Sequence, residues 1–366
     1  MKLMIDIRKL SNKPSGIGMY IYNYVKGLLK EGIELIAVTD IQISEEIKEL
    51  KSLNLRIIEY GKEVNNNFEV FKYFKFIETI LDKESPDYFW EPNFIIPINI
   101  KKQFKNIAFI ITIFDLIPIL NPEVCSLKYR MYFKYFLKKT IKNADYVLYI
   151  SDTVKRQCEY VYPFIKNKKS LMNYVIIEDR YDTNKEDLTD LDYFLFIGNI
   201  EERKGIRILI DAYKLYLNNG GTKKLKLVGS IKDKKIEEML DNEINLNSRM
   251  IEYLGYVDEN KKMNLIKNSS CLIFPSYAEG FGMPPLEAIM LGKPVIVSDI
   301  EIFREVLDKN ANYFNISNDF DKSVINLYNT MCSYKNINSN QAEKLMKKYD
   351  SEILSKRLID FLGDLK

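Results

Sequence analysis

The chain contains no histidine in 366 residues. That absence removes a Ser-His-Asp triad, a Cys-His dyad, histidine-ligated zinc and an imidazole general base from consideration. Cysteine is scarce too. The four, at 125, 158, 271 and 332, lie far apart and form no C-x-x-C pair, so a zinc knuckle and a redox pair are both excluded, and a reduced, cytoplasmic chain is the expectation. No apolar run approaches the ~18 residues of a membrane-spanning helix, and Met1–Ile7 is too short for a signal peptide. Excess charge is small, at +3. It is unevenly spread: residues 1–180 hold 28 Lys+Arg against 22 Asp+Glu, and the remainder 26 against 29, so the first half is the basic one.

What is present is a long alternation of short apolar runs with helix-period segments, which predicts α/β architecture with mainly parallel sheets. In the first half the runs are Leu3–Ile7, Glu34–Val38, Leu55–Ile58, Tyr88–Trp90, Ile107–Ile113 and Tyr146–Ile150, with helices over Ile17–Lys30, Phe68–Leu81 and Leu127–Lys142. Residues Glu178–Asp192 change character, with seven acids against two bases, and read as a linker. A second alternation runs from Tyr193–Ile197 to Cys271–Phe274. The length suits about two domains, expected at 1–180 and 181–340. Residues 341–366 carry a helical stripe at 345, 349, 353, 358 and 362. Tyrosine (25) and phenylalanine (20) are abundant, which reads as compositional bias.

The most informative string is Glu279-Gly280-Phe281-Gly282-Met283-Pro284-Pro285-Leu286-Glu287, between two apolar runs. Two adjacent prolines suit the first helical positions, where φ is already correct and a missing N–H costs nothing. The loop 279–283 then sits at the positive end of a helix running to Leu291, with Gly292 as its stop. Free N–H groups favour an anion there, and Gly280 and Gly282 permit close backbone approach. Glu279 falls in the loop and Glu287 in the first turn, so both carboxylates can reach one small ligand; the plainer reading is a carboxylate complementing a helix dipole.

This string resembles the E-x7-E signature of the retaining glycosyltransferases of the GT-B fold, family 4 type, with Glu279 and Glu287 as its glutamates and Phe281 its central aromatic. The resemblance implies two Rossmann-like domains around a donor cleft, a terminal helix braced on the first domain, and sugar transfer from a nucleotide sugar. It extends to three looser segments. Ser15-Gly16-Ile17-Gly18 opens the first helix after the first strand, is an incomplete dinucleotide fingerprint because Ile21 stands at the third glycine position, and matches a family loop facing the donor diphosphate, with Met19 where relatives carry arginine. Gly198-Asn199-Ile200-Glu201-Glu202-Arg203-Lys204-Gly205 matches a family segment in which Glu202 replaces proline. Phe114-Asp115-Leu116-Ile117-Pro118 matches one in which Phe114 replaces histidine.

By resemblance, Arg203, Lys204 and the N–H groups near Gly16, Gly18 and Gly282 hold the diphosphate, Glu287 the ribose, and Glu279 with the Gly280–Gly282 backbone the sugar, Asn199 and Phe281 completing the donor side. Charge on a departing diphosphate needs cations, which Arg203 and Lys204 supply without a metal. Asp115 is a candidate for the acceptor hydroxyl or a plain turn residue. Asp190-Leu191-Asp192 imitates a D-x-D metal motif, but its acidic linker setting favours a solvated reading, and no metal or other cofactor is expected. Leu127–Lys142 carries six cations, no acid and five aromatics, which suits either an anionic membrane surface or a helix packing its aromatics on the sheet. A nucleic-acid partner is not expected.

The expected function is a metal-independent, retaining hexosyltransferase using GDP-mannose as first donor and a saccharide acceptor, free or lipid-linked, in surface polysaccharide synthesis, working in the cytoplasm or at the inner face of the membrane. The rival is a catalytically degenerate GT-B protein that binds saccharide or supports a partner enzyme, motivated by Phe114 and Met19.

Overall fold

The computed structural model describes residues 1–364 except 12–14, 45–48, 54, 93–94, 98, 178–191 and 232. The expected linker therefore lies outside the described residues up to position 191, as does Asp190 of the D-x-D imitation. The chain forms two compact units, Met1–Ile176 with Tyr349–Lys366, and Ile177–Lys348.

The first unit holds a seven-stranded sheet: β1 (Lys2–Asp6), β2 (Glu34–Thr39), β3 (Arg56–Glu59), β4 (Tyr88–Glu91), β5 (Ala108–Ile113), β6 (Tyr146–Tyr149) and β7 (Lys169–Met172). Their order is β3-β2-β1-β4-β5-β6-β7, all parallel. The second unit repeats the plan with six strands: β8 (Tyr193–Ile197), β9 (Lys224–Val228), β10 (Ile251–Gly255), β11 (Cys271–Phe274), β12 (Val295–Ser298) and β13 (Asn312–Phe314), in the order β10-β9-β8-β11-β12-β13, again all parallel. Strands such as Tyr-Phe-Leu-Phe-Ile of β8 and Cys-Leu-Ile-Phe of β11 are buried throughout, as a parallel sheet covered on both faces requires. Each unit is thus a doubly wound α/β sheet whose strand order reverses once, between β1 and β4 and between β8 and β11. Ligands of such sheets bind at that reversal, beyond the carboxyl ends of the strands.

The tyrosines are not only bias. In the first unit Tyr20, Tyr24 and Trp90 are buried, and their polar tips find partners: Tyr24 Oη donates to Tyr174 O (2.6 Å), Asn173 Nδ2 to Tyr20 Oη (2.6 Å) and Trp90 Nε1 to Thr112 Oγ1 (2.9 Å). Such residues fill a core at no polar loss when the hydroxyl is satisfied.

The stripe expected as one tail helix is two. Ser339–Lys347 packs on the Met283–Met290 helix in the second unit, and Asp350 caps a new helix, Ser351–Gly363, by accepting from Ile353 N (3.0 Å). Only this last helix joins the first unit, where it lies on Gly16–Lys30 and receives Tyr88 Oη at Leu362 O (2.6 Å). The two helices meet at Gly27, where an added Cβ would overlap Ser355 Oγ. Gly27→Ala should therefore destabilise the first unit by about 1–3 kcal/mol. Ser355 Oγ is buried with no hydrogen-bond partner, so Ser355→Ala alone should be neutral or stabilising. In the double variant it should recover part of the loss, a non-additivity that thermal melts of the four proteins will read.

Candidate functional site

The E-x7-E string follows β11, on one side of the second unit's strand reversal, and Gly198–Gly205 follows β8, on the other. The two loops are tied together. Tyr277 N donates to Arg203 O (2.9 Å), Arg203 Nη1 donates to Ala278 O (2.6 Å), and Gly205, at φ +70°, abuts the Pro275 backbone. Lys204 Nζ consequently reaches Glu279 Oε1 at 2.5 Å while standing 4.7 Å above the Phe274 ring, and Arg203 Nη1 lies 3.4 Å from the same oxygen. Arg203 Nη2 also pairs with Glu201 (2.5 Å). Burial by itself would push the Glu279 carboxyl up; Lys204 and then Arg203 outweigh it and hold the group below the ordinary glutamate range. An ionised carboxylate and two cations are thereby fixed, largely out of water, at the place where an open α/β sheet receives ligands.

Gly282 has φ +92° and immediately precedes the Met283–Met290 helix, so a left-handed residue turns the loop into it; a Cβ there would stand 2.6 Å from the Phe303 ring. Gly280, Phe281 and Gly282 are buried, and Asn199 is exposed in the loop after β8. Glu287 is the fifth helical residue, one position past the first turn expected for it, because the helix begins at Met283. It is buried, and Lys262 Nζ donates to its Oε1 (2.9 Å) while also pairing with Glu259 (2.7 Å). The dipole-complement reading of Glu287 thus gives way to a buried ion pair. Sequence reasoning missed Lys262, whose i,i+3 partner Glu259 made it look like an ordinary surface pair.

Gly16, Gly18 and Asp115 belong to the first unit. Gly16 is exposed at the first position of its helix. Gly18 is buried: a Cβ would lie 2.7 Å from Lys9 O, and its N–H donates to the capping Ser15 Oγ (3.4 Å), so packing and capping account for it. Asp115 Oδ1 accepts from Ile117 N (3.0 Å) in a turn after β5. Phe114 stands edge-on to Tyr20, centroids 5.0 Å apart. A feature not anticipated sits at the first unit's strand reversal: Arg8, with Nε on Asp6 (2.8 Å) and Nη2 on Glu91 (3.2 Å), its guanidinium 4.4 Å from the Tyr73 ring centroid. It contributes to a cavity of about 600 Å³ that also includes Ser15, Asp40, Phe74, Phe114 and Tyr132. Asp192, the described acid of the D-x-D imitation, pairs with Lys223 and accepts from Ser270 Oγ (3.0 Å).

Residues 179–349 match the model of the family described as glycosyl transferases group 1. The match spans 171 of the 366 residues, nearly all of them in the second unit. Among similar proteins, the O-antigen chain mannosyltransferase RfbU of Salmonella typhimurium is 31% identical over 212 residues, 56% of this chain and 56% of its own length, so the match spans little more than half of that protein. The uncharacterized glycosyltransferase MJ1178 of Methanocaldococcus jannaschii is 26% identical over 94% of this chain and 87% of its own. The Anabaena protein Alr3699/HepE, solved in complex with UDP-glucose, superposes with a TM-score of 0.73 over the full length of both chains at 16% identity. At that identity the likeness carries the fold, which is GT-B.

Proposed function

We propose that this chain is a group 1 glycosyltransferase, a retaining enzyme that moves a hexose, mannose from GDP-mannose in the first instance, onto a saccharide acceptor in surface polysaccharide synthesis. The observation that carries it is the Lys204–Glu279–Arg203 cluster at the strand reversal of the second unit, which joins the E-x7-E string to the Gly198–Gly205 loop. On this reading Lys204 and Arg203 take the donor diphosphate, with the Gly282 backbone assisting. Glu279 turns to the hexose hydroxyls as Lys204 leaves it for phosphate, and Glu287, held by Lys262, takes the ribose.

Transfer then proceeds on one face of the sugar. The bond from the anomeric carbon to the diphosphate oxygen breaks as the acceptor oxygen bonds to that carbon, and the acceptor proton passes to the departing diphosphate. Lys204 and Arg203 stabilise the charge that develops there, in a partly dehydrated site where such contacts are strong. No histidine enters any step, and the two cations carry the charge that a metal would otherwise balance. The relative named as an O-antigen mannosyltransferase supports the choice of sugar, and Asp115 is the proposed contact for the acceptor hydroxyl. The acceptor is best read as a lipid-linked saccharide presented at the cytoplasmic face of a membrane; among the described residues no helix is long and apolar enough to cross one.

Titration with GDP-mannose should raise the melting temperature, by the equivalent of about 2.7 kcal/mol at a hundredfold excess over Kd, more than UDP-glucose, UDP-N-acetylglucosamine or dTDP-rhamnose does. If none of the four stabilises the protein, the donor assignment fails; a larger response to UDP-glucose would move it to glucose. Phe114 favours one second reading, a saccharide-binding protein without turnover, because its ring packs on Tyr20 at the position where the resemblance implies a histidine. Transfer above that of a Glu279→Gln control separates the two.

A further inference from the structure

The Leu127–Asn143 helix carries two apolar stripes. Phe133, Leu137, Thr140 and Ile141 are buried against the first unit. Leu127, Met131 and Tyr135, spaced i, i+4, i+8, lie on the other face and are 65, 66 and 53% exposed. A helix covering a sheet in water turns charge, not a second apolar stripe, outward. Here the outer stripe is set among Lys128, Lys134, Lys138 and Lys142, and the helix has no acid at all. A second helix, Asn67–Glu84, exposes Phe68 (65%) and Phe71 (61%) in its first turns, with Lys72 Nζ 4.2 Å from the Phe68 ring centroid and Lys75 Nζ 6.0 Å from that of Phe71.

The two helices are neighbours across one opening. Val70 and Phe74 of the second, and Tyr129 and Tyr132 of the first, line the cavity of about 600 Å³ that includes Arg8 and Phe114. Lone exposed apolar residues need no explanation. Five large ones on the two helices that contribute to one cavity, with lysines beside them, have the composition of helices that lie in a membrane interface: apolar side chains among the acyl boundary, ammonium groups among anionic headgroups.

We propose that these two helices dock the first unit on an anionic phospholipid bilayer, so that the cavity between them opens at the headgroup level and receives the saccharide of a lipid-linked acceptor. The docking rests on the positive charge of Leu127–Asn143 and on the exposed apolar area of both helices, since Lys72 and Lys75 pair with Glu69 and Glu78 of their own helix, and its use rests on the transferase reading above.

Flotation of the full chain with vesicles tests it. Binding should appear with phosphatidylcholine vesicles containing phosphatidylglycerol, be weak with phosphatidylcholine alone, and fall as salt rises from 0.1 to 1 M, where the screening length shrinks from about 10 to about 3 Å. Lys134→Ala and Lys138→Ala should each reduce binding about fivefold, the factor expected per cation near an anionic surface. Leu127→Ser with Met131→Ser, and separately Phe68→Ser with Phe71→Ser, should each reduce it at least tenfold while circular dichroism and the thermal response to a sugar nucleotide stay at wild-type values. Wild-type protein that ignores anionic vesicles overturns the proposal, as does binding indifferent to either double variant. Self-association lost in those variants, with vesicle binding intact, would assign the surface to a second copy of the chain and overturn it equally. Glu279→Gln should still bind vesicles, so failure of the docking and failure of the transferase reading are read apart.

Discussion

Lys204→Ala should lower transfer by a factor of about 10²–10³ or more and destabilise the second unit at the same time. The first effect follows from removing the cation placed to receive the diphosphate. The second follows from Glu279, whose side chain is 9% exposed and would keep Arg203 at 3.4 Å as its cationic partner. Breaking a buried pair from one side costs about 3–5 kcal/mol, less whatever Arg203 restores. Lys204→Met combined with Glu279→Gln removes both charges, so it should return most of the stability and none of the activity. Melts and single-turnover transfer on the three variants separate the roles, and near-normal turnover in Lys204→Ala would take that residue out of the mechanism. Acid adds a signature. Because the folded-state carboxyl of Glu279 is depressed below 4.5, its stabilisation is present above that pH and lost as pH falls through the lower folded value. Without Lys204 that contribution should be smaller and its loss complete at a higher pH.

Gly205→Ala should be among the most damaging single methyl additions in the second unit. The residue ends the turn Glu202–Lys204 and begins the helix Ile206–Asn218 at φ +70°, ψ 26°. Alanine there pays about 1 kcal/mol for the left-handed backbone. Its Cβ would also overlap the Pro275 carbonyl, a backbone group whose neighbours are held: Ser276 O accepts from Ser298 Oγ, and Tyr277 N donates to Arg203 O. Overpacking of this kind adds about 1–3 kcal/mol. A loss near 3 kcal/mol lowers the melting temperature of a unit this size by about 6–12 °C. Since the displaced loop carries Arg203 and Lys204, a shift of about 1 Å also costs about a hundredfold in rate. A melting temperature within 2 °C of wild type would show that the two loops can part.

Most of the architecture was legible because parallel strands buried on both faces are nearly unbroken apolar words, and Phe274, Ile197 and Val228 end such words. β7, Lys-Ser-Leu-Met, escaped because an edge strand is half-exposed and reads as polar. The tail was misjudged as one helix because its apolar spacing continues across Lys348 and Asp350, although Asp350 three residues before Ile353 is a capping signal in plain view. The donor-side candidates Glu279, Arg203 and Lys204 were legible as residues, since charge and glycine placement mark them. Their mutual contact was not, because it joins positions 75 apart through a backbone fit at Gly205 and Pro275 that no local pattern encodes. The Leu127–Asn143 helix shows the converse limit: composition marked it as unusual, but of two apolar stripes only packing tells which one faces inward.

The return of Ser351–Gly363 to the first unit sets an order of assembly during synthesis. The ribosome makes the whole second unit between the first unit's sheet and the helix that covers Gly27. At about 5–20 residues per second, the face of Gly16–Lys30 awaiting that helix stays bare for roughly ten to forty seconds after Ile176 has been made, an interval in which a chaperone or a neighbouring chain has access to it. Variants that slow the second unit, Gly205→Ala among them, should therefore lengthen the exposure of a surface they never touch.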